Sequence, residues 1–519
     1  MIRSVLVSFR FAALLLIAMV SNSSARDLSE MELDGFVKAA MDTFNVPGIA
    51  VGIVKDNEIK LLKGYGVREI GKSATVDGDT MYAIASNSKA FTASALAILV
   101  DDGVLHWDDK VIDYLPDFRM MDPWITADFT IRDLLTHRSG MGLGAGDLMF
   151  WPTTERTRAE IIHNVRYLKM VTGFRSAYAY DNTLYVVAGE VIAAASGMSY
   201  EQFVQTRIMN QLAIGNGCRA DITTITDKDN VATPHTSVNG KLQVASRLNE
   251  PGQPMVIAAA GGIQCSARDM LKWMNAHLHN GAGLMSKTQH DEMWSPQTIQ
   301  PVSMSDHNWF GTNFAAYGLG FRLKDYYGYK QVSHTGGLLG MVTYEVMIPE
   351  KSLGVVVLTN QENGYAMRAI MENIMQVYLD QEDVDWTERY AQIEQREIEK
   401  AASEVAKDEA EADAKALLPL SDYVGLYRDP WFGDVRISIK DGDLYFTAMR
   451  SRKLKGPLSA FKFNTFKAIW EDRSFKADAY AMFSTDFEGR VNGLKMKAIS
   501  PLTDFSYDFH DLDFTKVEE

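Results

Sequence analysis

The sequence predicts an α/β domain followed by a separate, small all-β domain. Three observations lead there. Apolar, strand-like segments occur near the N-terminus and again between about residues 256 and 360, with a helix-rich stretch punctuated by Gly and Pro between them. Residues 388–416 change character to an Ala/Glu/Lys-rich run with almost nothing to bury. Beyond residue 418 the chain turns to short alternating strands separated by D-G and E-G turns.

Taken in order, the chain begins with Arg3 and Arg10, an apolar run over residues 11–20, and then S-N-S-S-A-R-D. A basic start, an apolar core of about ten residues and small residues before a cut make a signal peptide. Ser23 and Ala25 fit the small-x-small rule, which places cleavage after Ala25; a membrane anchor would need about 20 apolar residues. The mature protein is therefore expected to be exported, periplasmic or secreted, with no stable membrane span after signal cleavage. Next, I49-A-V-G-I-V and I59-K-L-L-K-G-Y flank Asp56-Asn57 as a β-hairpin. A helix is expected over residues 86–100, ended by Asp102-Gly103. Strands are expected at M255-V-I-A-A-A, Y344-E-V-M-I and G354-V-V-V-L-T-N, and a last core helix at 366–379. The expected divisions are 1–25 signal peptide, 26–385 main domain, 386–417 charged helical linker and 418–519 β domain. Residues 26–385 are expected to fold without the tail, whose loss should alter substrate range or assembly more than chemistry.

The bulk properties narrow the function. A length of 519 residues calls for more than one domain, and 46% apolar with 23% charged residues describes an ordinary globular chain. A net charge of −15 argues against nucleic acid as a partner, because phosphate neutralisation needs a basic surface. Export makes Cys218 and Cys265 candidates for a disulfide, but the spacing equally allows two buried free thiols. Two cysteines and ten histidines without an H-E-x-x-H offer no metal site, and no cofactor is expected. His277 and His279 read as helix-surface residues.

The chemistry centres on A83-I-A-S-N-S-K-A-F-T, where Ser86 precedes Lys89 by three residues at the start of an apolar helix. Residues three apart share a helix face, so the Lys89 amine can reach the Ser86 oxygen. A serine hydroxyl needs a base to take its proton, and burial lowers a lysine pKa towards neutrality. A second S-x-x-K, Ser459 to Lys462, lies in the β domain without companions and reads as chance. The motif Y180-D-N supplies Tyr180, whose hydroxyl can relay a proton to a leaving group, and Asn182, whose amide can hold a substrate carbonyl. The run H334-T-G-G contributes His334, Thr335, Gly336 and Gly337, with two glycines that let a substrate backbone lie close to an edge strand.

Together these motifs resemble the serine β-lactamase and penicillin-binding-protein superfamily, in its class C-like branch of peptidases and esterases. The matching segments include Y82-A-I-A-S-N-S-K-A-F-T, T130-I-R-D-L-L-T-H-R-S-G, Y180-D-N, A260-G-G-I-Q-C-S-A-R-D, Y317-G-L-G-F and S333-H-T-G-G-L-L-G, across most of residues 30–380. The resemblance implies an antiparallel sheet flanked by helices plus an all-helical subdomain, and residues 418–519 resemble the lipocalin-like β domain of some members. It implies Ser86 as nucleophile, Lys89 and Tyr180 as the acid/base pair, Asn182 and His334–Gly337 as substrate contacts, and the Ser86 and Gly337 N–H groups as the oxyanion hole. Two departures stand out. His334 replaces the lysine of lactamases and transpeptidases, which argues against penicillin carboxylate recognition, and Asp181 places a negative charge where a small residue is usual.

The expected function is a serine hydrolase that cleaves amide bonds in small or unusual peptides through an acyl-enzyme: D-residue, cell-wall-derived or linearised cyclic peptides. A carboxylesterase comes second and a β-lactamase third. A catalytically dead binding or sensor protein is the non-enzyme alternative, but it should have lost Ser86, Lys89 or Tyr180. The expected partner is a small molecule or short peptide. If His334 reads a substrate carboxylate, its charge should vanish across neutral pH.

Overall fold

The computed structural model describes residues 26–226, 228–246 and 254–518; the expected signal peptide lies outside them. Strands Gly48–Lys55 and Glu58–Gly66 pair as the expected hairpin, and Asp56 and Asn57 both take positive φ (51° and 69°). That backbone matches the right-handed twist of the strands it joins. The hairpin forms one edge of an eight-stranded antiparallel sheet in the order Glu58–Gly66, Gly48–Lys55, Leu353–Thr359, Met341–Ile348, Tyr329–Leu338, Arg322–Tyr326, Ala315–Tyr317 and Thr298–Gln300. Central strands such as Leu353–Thr359 are buried at every residue, because helices cover both faces. Helices Glu30–Phe44, Gly364–Tyr378 and the start of Trp386–Ala410 cover one face. Helices Ala267–Leu278 and Ser88–Asp101 lie on the other, joined by the stacked rings of Phe91 and Trp273, 3.8 Å apart.

Three local expectations give way to the structure. Residues 255–260 form a turn and the short helix Ala258–Gly261 instead of a strand. The segment's carbonyls are satisfied by buried side chains: Thr92 Oγ1 donates to Ala259 O (2.6 Å) and Lys89 Nζ to Ala260 O (2.7 Å). With those partners the run needs no sheet ladder. The charged helix Trp386–Ala410 is not solvated throughout. Trp386, Thr387 and Tyr390 are buried, and Trp386 stacks on Phe310 at 5.5 Å. His277 is buried between Trp273 and Phe321, not on the surface, while His279 bonds back to Asn275 O.

The two cysteines meet as a disulfide. Cys218 and Cys265 face each other directly across two short antiparallel strands, with Cα atoms 4.1 Å apart. The tail folds as a closed eight-stranded antiparallel barrel, sealed where Gly425–Asp429 pairs with Asp513–Val517. Packed rings fill its interior, Tyr423 touching Phe466 and Phe483 at 5.0 Å each. The Ser459–Lys462 pair falls on the barrel strand Lys455–Lys462, where alternating side chains share no helix face.

Candidate active site

The site sits where the buried helix Ser88–Asp101 begins. Ser86 lies in a short 3₁₀ turn, Ala85–Asn87, that leads into this helix. Ala85 has φ +50°, a left-handed conformation that costs a non-glycine residue about 1 kcal/mol or more. Neighbours hold the turn in place: Ile84 N donates to Ile263 O (3.0 Å), and Thr343 Oγ1 donates to Ile84 O (3.0 Å) while accepting from Asn87 Nδ2 (3.1 Å). Gly336 allows the close approach on the strand side, since a Cβ there would fall 2.2 Å from Ile84 O and 2.3 Å from Thr343 Oγ1. The strained turn raises the Ser86 hydroxyl into a cleft of about 420 Å³, a size suited to a small organic ligand or short peptide.

Lys89 has no solvent exposure. Its Nζ lies 3.1 Å from Ser86 Oγ, 2.7 Å from Asn182 Oδ1 and 2.7 Å from Ala260 O. Burial pulls its pKa down to about 7; Asp147 and Asp181 oppose the shift and Arg322 adds to it. An amine in that range is a free base for a large part of the time at neutral pH. Tyr180 packs face-on beneath this ammonium, with Lys89 Nζ 4.8 Å from its ring centroid. The Tyr180 hydroxyl is buried beside the Ser86 hydroxyl; burial holds its pKa above the ordinary phenol range, and hydrogen bonding to Ser86 draws it part of the way back. Near neutral pH about half of the Lys89 amine is therefore available as a base, while Tyr180 stays a protonated phenol.

Asn182 caps the helix Thr183–Ser196 and bridges Lys89 and the buried Asp147, whose carboxyl burial pushes well above the usual range. Its Oδ1 faces Lys89, and its Nδ2 donates to Asp147 Oδ2 at 2.7 Å. One amide hydrogen remains for a ligand carbonyl. Asp181 points away from the cleft, accepting from Leu184 N (3.2 Å) at the helix start; burial lifts its pKa to about 7.

The strand Tyr329–Leu338 forms the opposite wall. It pairs with Arg322–Tyr326 only as far as Ser333 and with Met341–Ile348 to its end. From His334 onwards one edge is therefore open to the cleft. Thr335, Gly336 and Gly337 lie there, and a Cβ on Gly337 would meet nothing within 4 Å. His334 departs from expectation. It is buried, its Nδ1–H donates to Thr335 O (2.7 Å), and its Nε2 accepts from the Tyr317 hydroxyl (3.0 Å). Desolvation, with Arg322 and Lys89 nearby, holds its pKa well below the usual imidazole value. Both nitrogens are used and the ring is neutral, so the condition under which His334 would read a substrate carboxylate is not met.

The structure thus gathers all eight expected residues around one cleft and adds three that sequence reasoning missed. Arg322 lines the cleft and forms no ion pair among the described residues; its guanidinium lies 5.7 Å from the Tyr180 ring and 5.9 Å from Tyr178. It directly follows the quoted Y317-G-L-G-F, so one more residue of that motif would have included it. His137, inside the quoted T-H-R-S-G, packs on Tyr180 at 4.2 Å, and its Nδ1 accepts from Asp181 N (3.1 Å). Asp147, behind Asn182, had no local signal.

Comparison with known proteins identifies the family and the fold. A model of the Beta-lactamase family matches residues 33–377, and one for a domain of unknown function, DUF3471, matches residues 409–516. The chain is 28% identical over 422 residues to an unguisins hydrolase from Aspergillus campestris (strain IBT 28561), covering 77% of this chain and 76% of that one. It is 25% identical over 376 residues to the D-alanyl-D-alanine-carboxypeptidase/endopeptidase AmpH of Escherichia coli (strain K12), covering 68% and 91%. The fold matches that of a penicillin-binding protein homologue from Pyrococcus abyssi with a TM-score of 0.61 at 22% identity, over 94% of this chain and all of the other. With the family model spanning most of its length and the serine–lysine–tyrosine cluster set in the matching fold, the chain belongs to the Beta-lactamase family and is a serine hydrolase.

Proposed function

We propose that the protein is an exported amidase or peptidase that cleaves short peptides bearing a free carboxylate, through an acyl-enzyme on Ser86. The observation that carries this reading is a fully buried Lys89 amine 3.1 Å from the Ser86 oxygen. In the first half-reaction neutral Lys89 takes the Ser86 proton, the oxygen adds to the substrate carbonyl, and the Ser86 and Gly337 N–H groups receive the oxyanion. When the tetrahedral adduct collapses, the C–N bond breaks. Tyr180 donates its proton to the leaving nitrogen and is reprotonated from the Lys89 ammonium. Water then attacks the ester, with the same groups working in reverse, and releases the acid.

Arg322 supports the carboxylate preference, being a guanidinium on the cleft wall without an acidic partner among the described residues. A guanidinium binds carboxylates in two parallel hydrogen bonds. The names of two relatives, an unguisins hydrolase and a D-alanyl-D-alanine-carboxypeptidase/endopeptidase, support unusual peptides: D-residue, cell-wall-derived or linearised cyclic ones. Export is supported by the N-terminal pattern and by the Cys218–Cys265 disulfide, a bond that persists in oxidising compartments. Among the described residues no helix is long and apolar enough to cross a membrane. Carboxylesterase action is the second reading, favoured by apolar cleft residues such as Phe150, Trp151 and Ile257. The intact Ser86, Lys89 and Tyr180 count against a dead binding protein.

The test is mass spectrometry of the trapped protein with paired peptides, each as free acid and C-terminal amide. We expect an acyl adduct on Ser86 that Ser86→Ala abolishes, and a preference for the free acid of about tenfold or more that Arg322→Gln removes. An active enzyme with no adduct on Ser86 would overturn the mechanism; equal rates for acid and amide would overturn the carboxylate preference.

A further inference from the structure

The barrel is not a remote appendage. Between its last two strands, Val491–Ala498 and Asp513–Val517, the chain makes an excursion that reaches into the cleft at Asp504, Phe505 and Ser506. The Phe505 ring stands edge-on to Tyr180, centroids 5.8 Å apart, and keeps 38% of its surface exposed at the cleft. Its seat is built by the main domain. Gly144, at φ +71°, donates its N–H to Tyr180 O (2.8 Å), and a Cβ there would fall 2.8 Å from Phe505 O and 2.9 Å from its ring. No side chain fits between the two loops.

Two neighbouring side chains of the excursion bond to the same loop of the main domain. Buried Asp508 accepts from Gly146 N (2.8 Å) and Leu148 N (3.0 Å). Ser506 Oγ donates to Asp147 Oδ2 at 2.8 Å, the same oxygen that accepts from Asn182 Nδ2. Since Asn182 Oδ1 faces Lys89 Nζ, an unbroken hydrogen-bonded chain runs from the barrel to the amine: Ser506, Asp147, Asn182, Lys89. A surface contact between two folded units would not need to extend to the buried amine beside Ser86.

We propose that this barrel excursion is a wall of the acyl-transfer site: Phe505 limits the size of the acyl group admitted beside Tyr180, and Ser506 is a positioning residue that holds Lys89 against Ser86 through Asp147 and Asn182. The inference rests on the reading of Ser86 and Lys89 given above. The acyl group it selects is apolar and short, because Phe150, Trp151 and Ile257 line the cleft together with Phe505.

The experiment uses the full chain and chromogenic esters of one alcohol whose acyl part lengthens from acetyl to octanoyl. The wild type should lose kcat/KM as the acyl chain reaches Phe505. Phe505→Ala should raise the octanoyl-to-acetyl ratio at least about tenfold, the low end of what one methylene is worth in an apolar pocket, and Phe505→Trp should lower it. Ser506→Ala should lower kcat for the acetyl ester about tenfold with KM unchanged, and Ser506→Thr, which keeps the hydroxyl, should restore it. A fluorophosphonate adduct on Ser86 is scored in every variant. Wild-type labelling together with an acyl-length ratio unmoved by either Phe505 variant overturns the wall, and an unchanged kcat in Ser506→Ala overturns the positioning role. Failure of wild-type Ser86 to label while esters are still turned over overturns the underlying reading instead.

Discussion

The pH dependence of turnover tests the state of Lys89 directly. In the unfolded chain its amine is protonated below about pH 10.4, whereas burial in the folded protein brings it to about 7. Only the neutral amine can accept the Ser86 proton. An unperturbed lysine would be neutral in about one molecule in 2,500 at pH 7, against about half here, a gain on the order of 10³ in competent enzyme. With a neutral ester as substrate, kcat/KM should therefore rise about tenfold from pH 6 to pH 8 and then level off. Tyr180 is held protonated above that range, while burial keeps His137 and His334 neutral throughout it, so none of these three adds an inflection; Asp147, pushed well above the usual carboxylate range, titrates as part of the group around Lys89. Asp181 is also lifted to about 7, and the midpoint belongs to this coupled group. Arg322 gives the sign test. Its fixed positive charge favours the neutral amine, so Arg322→Gln should move the midpoint to higher pH, and the neutral ester removes any effect on carboxylate binding. Stopped-flow assays over pH 5–10 read the profile. A midpoint above pH 9 in the wild type, or an acidward shift in Arg322→Gln, would refute the argument. The same pKa difference bears on stability: the unfolded state binds the extra proton between about pH 7 and 10.4, so this contribution destabilises the fold in full below pH 7 and fades as pH rises to 10.4.

Three further outcomes follow from the geometry. Tyr180→Phe should cost about 10²–10⁴ in rate on amides, and less on esters, whose leaving groups need less protonation; equal losses on both would remove Tyr180 as the leaving-group acid. Gly336→Ala should destabilise the protein by about 1–3 kcal/mol, because the new methyl must displace Ile84 O or Thr343 Oγ1, and a wild-type urea midpoint with full activity would contradict the close approach. Reducing the Cys218–Cys265 bond, which closes a span of 47 residues, should cost about 2–4 kcal/mol; equal urea midpoints for the wild type and the paired serine variant would show that the crosslink carries no stability.

How far the fold was legible depended on the range of the interactions that decide each element. The Asp56-Asn57 hairpin, the helix after Ser86 and the barrel strands are written in short-range patterns, and all stand close to where their periodicity puts them. Residues 255–260 misled because an apolar run leaves helix and strand unresolved; the choice is made by Lys89 and Thr92, more than 160 positions away, which take up its carbonyls. The charged helix from Trp386 misled for a related reason. Its averaged composition hides the first turn, where Trp386 and Tyr390 enter the core.

The site divides along the same line, and the division says what kind of enzyme sequence motifs can describe. Ser86, Lys89, Tyr180, Asn182 and the Thr335–Gly337 edge were legible because local geometry places each of them: a helical turn, a helix start, a strand with an open side. His334 was legible as a position, while its charge was left open. A motif fixes where an imidazole stands, but its protonation depends on what surrounds it, here the Tyr317 hydroxyl and the cations Arg322 and Lys89. Arg322 supplies the fixed positive charge that a lysine at position 334 would have brought, from the neighbouring strand, where it lies opposite Ser333. The substitution at the motif and the uncharged ring that results are therefore compatible with a site that still attracts a carboxylate. Ser506 lies beyond any such reading, since it meets Asp147 across 359 residues and from a different fold. Specificity within this architecture is accordingly free to change through the barrel excursion while the serine, lysine and tyrosine stay fixed.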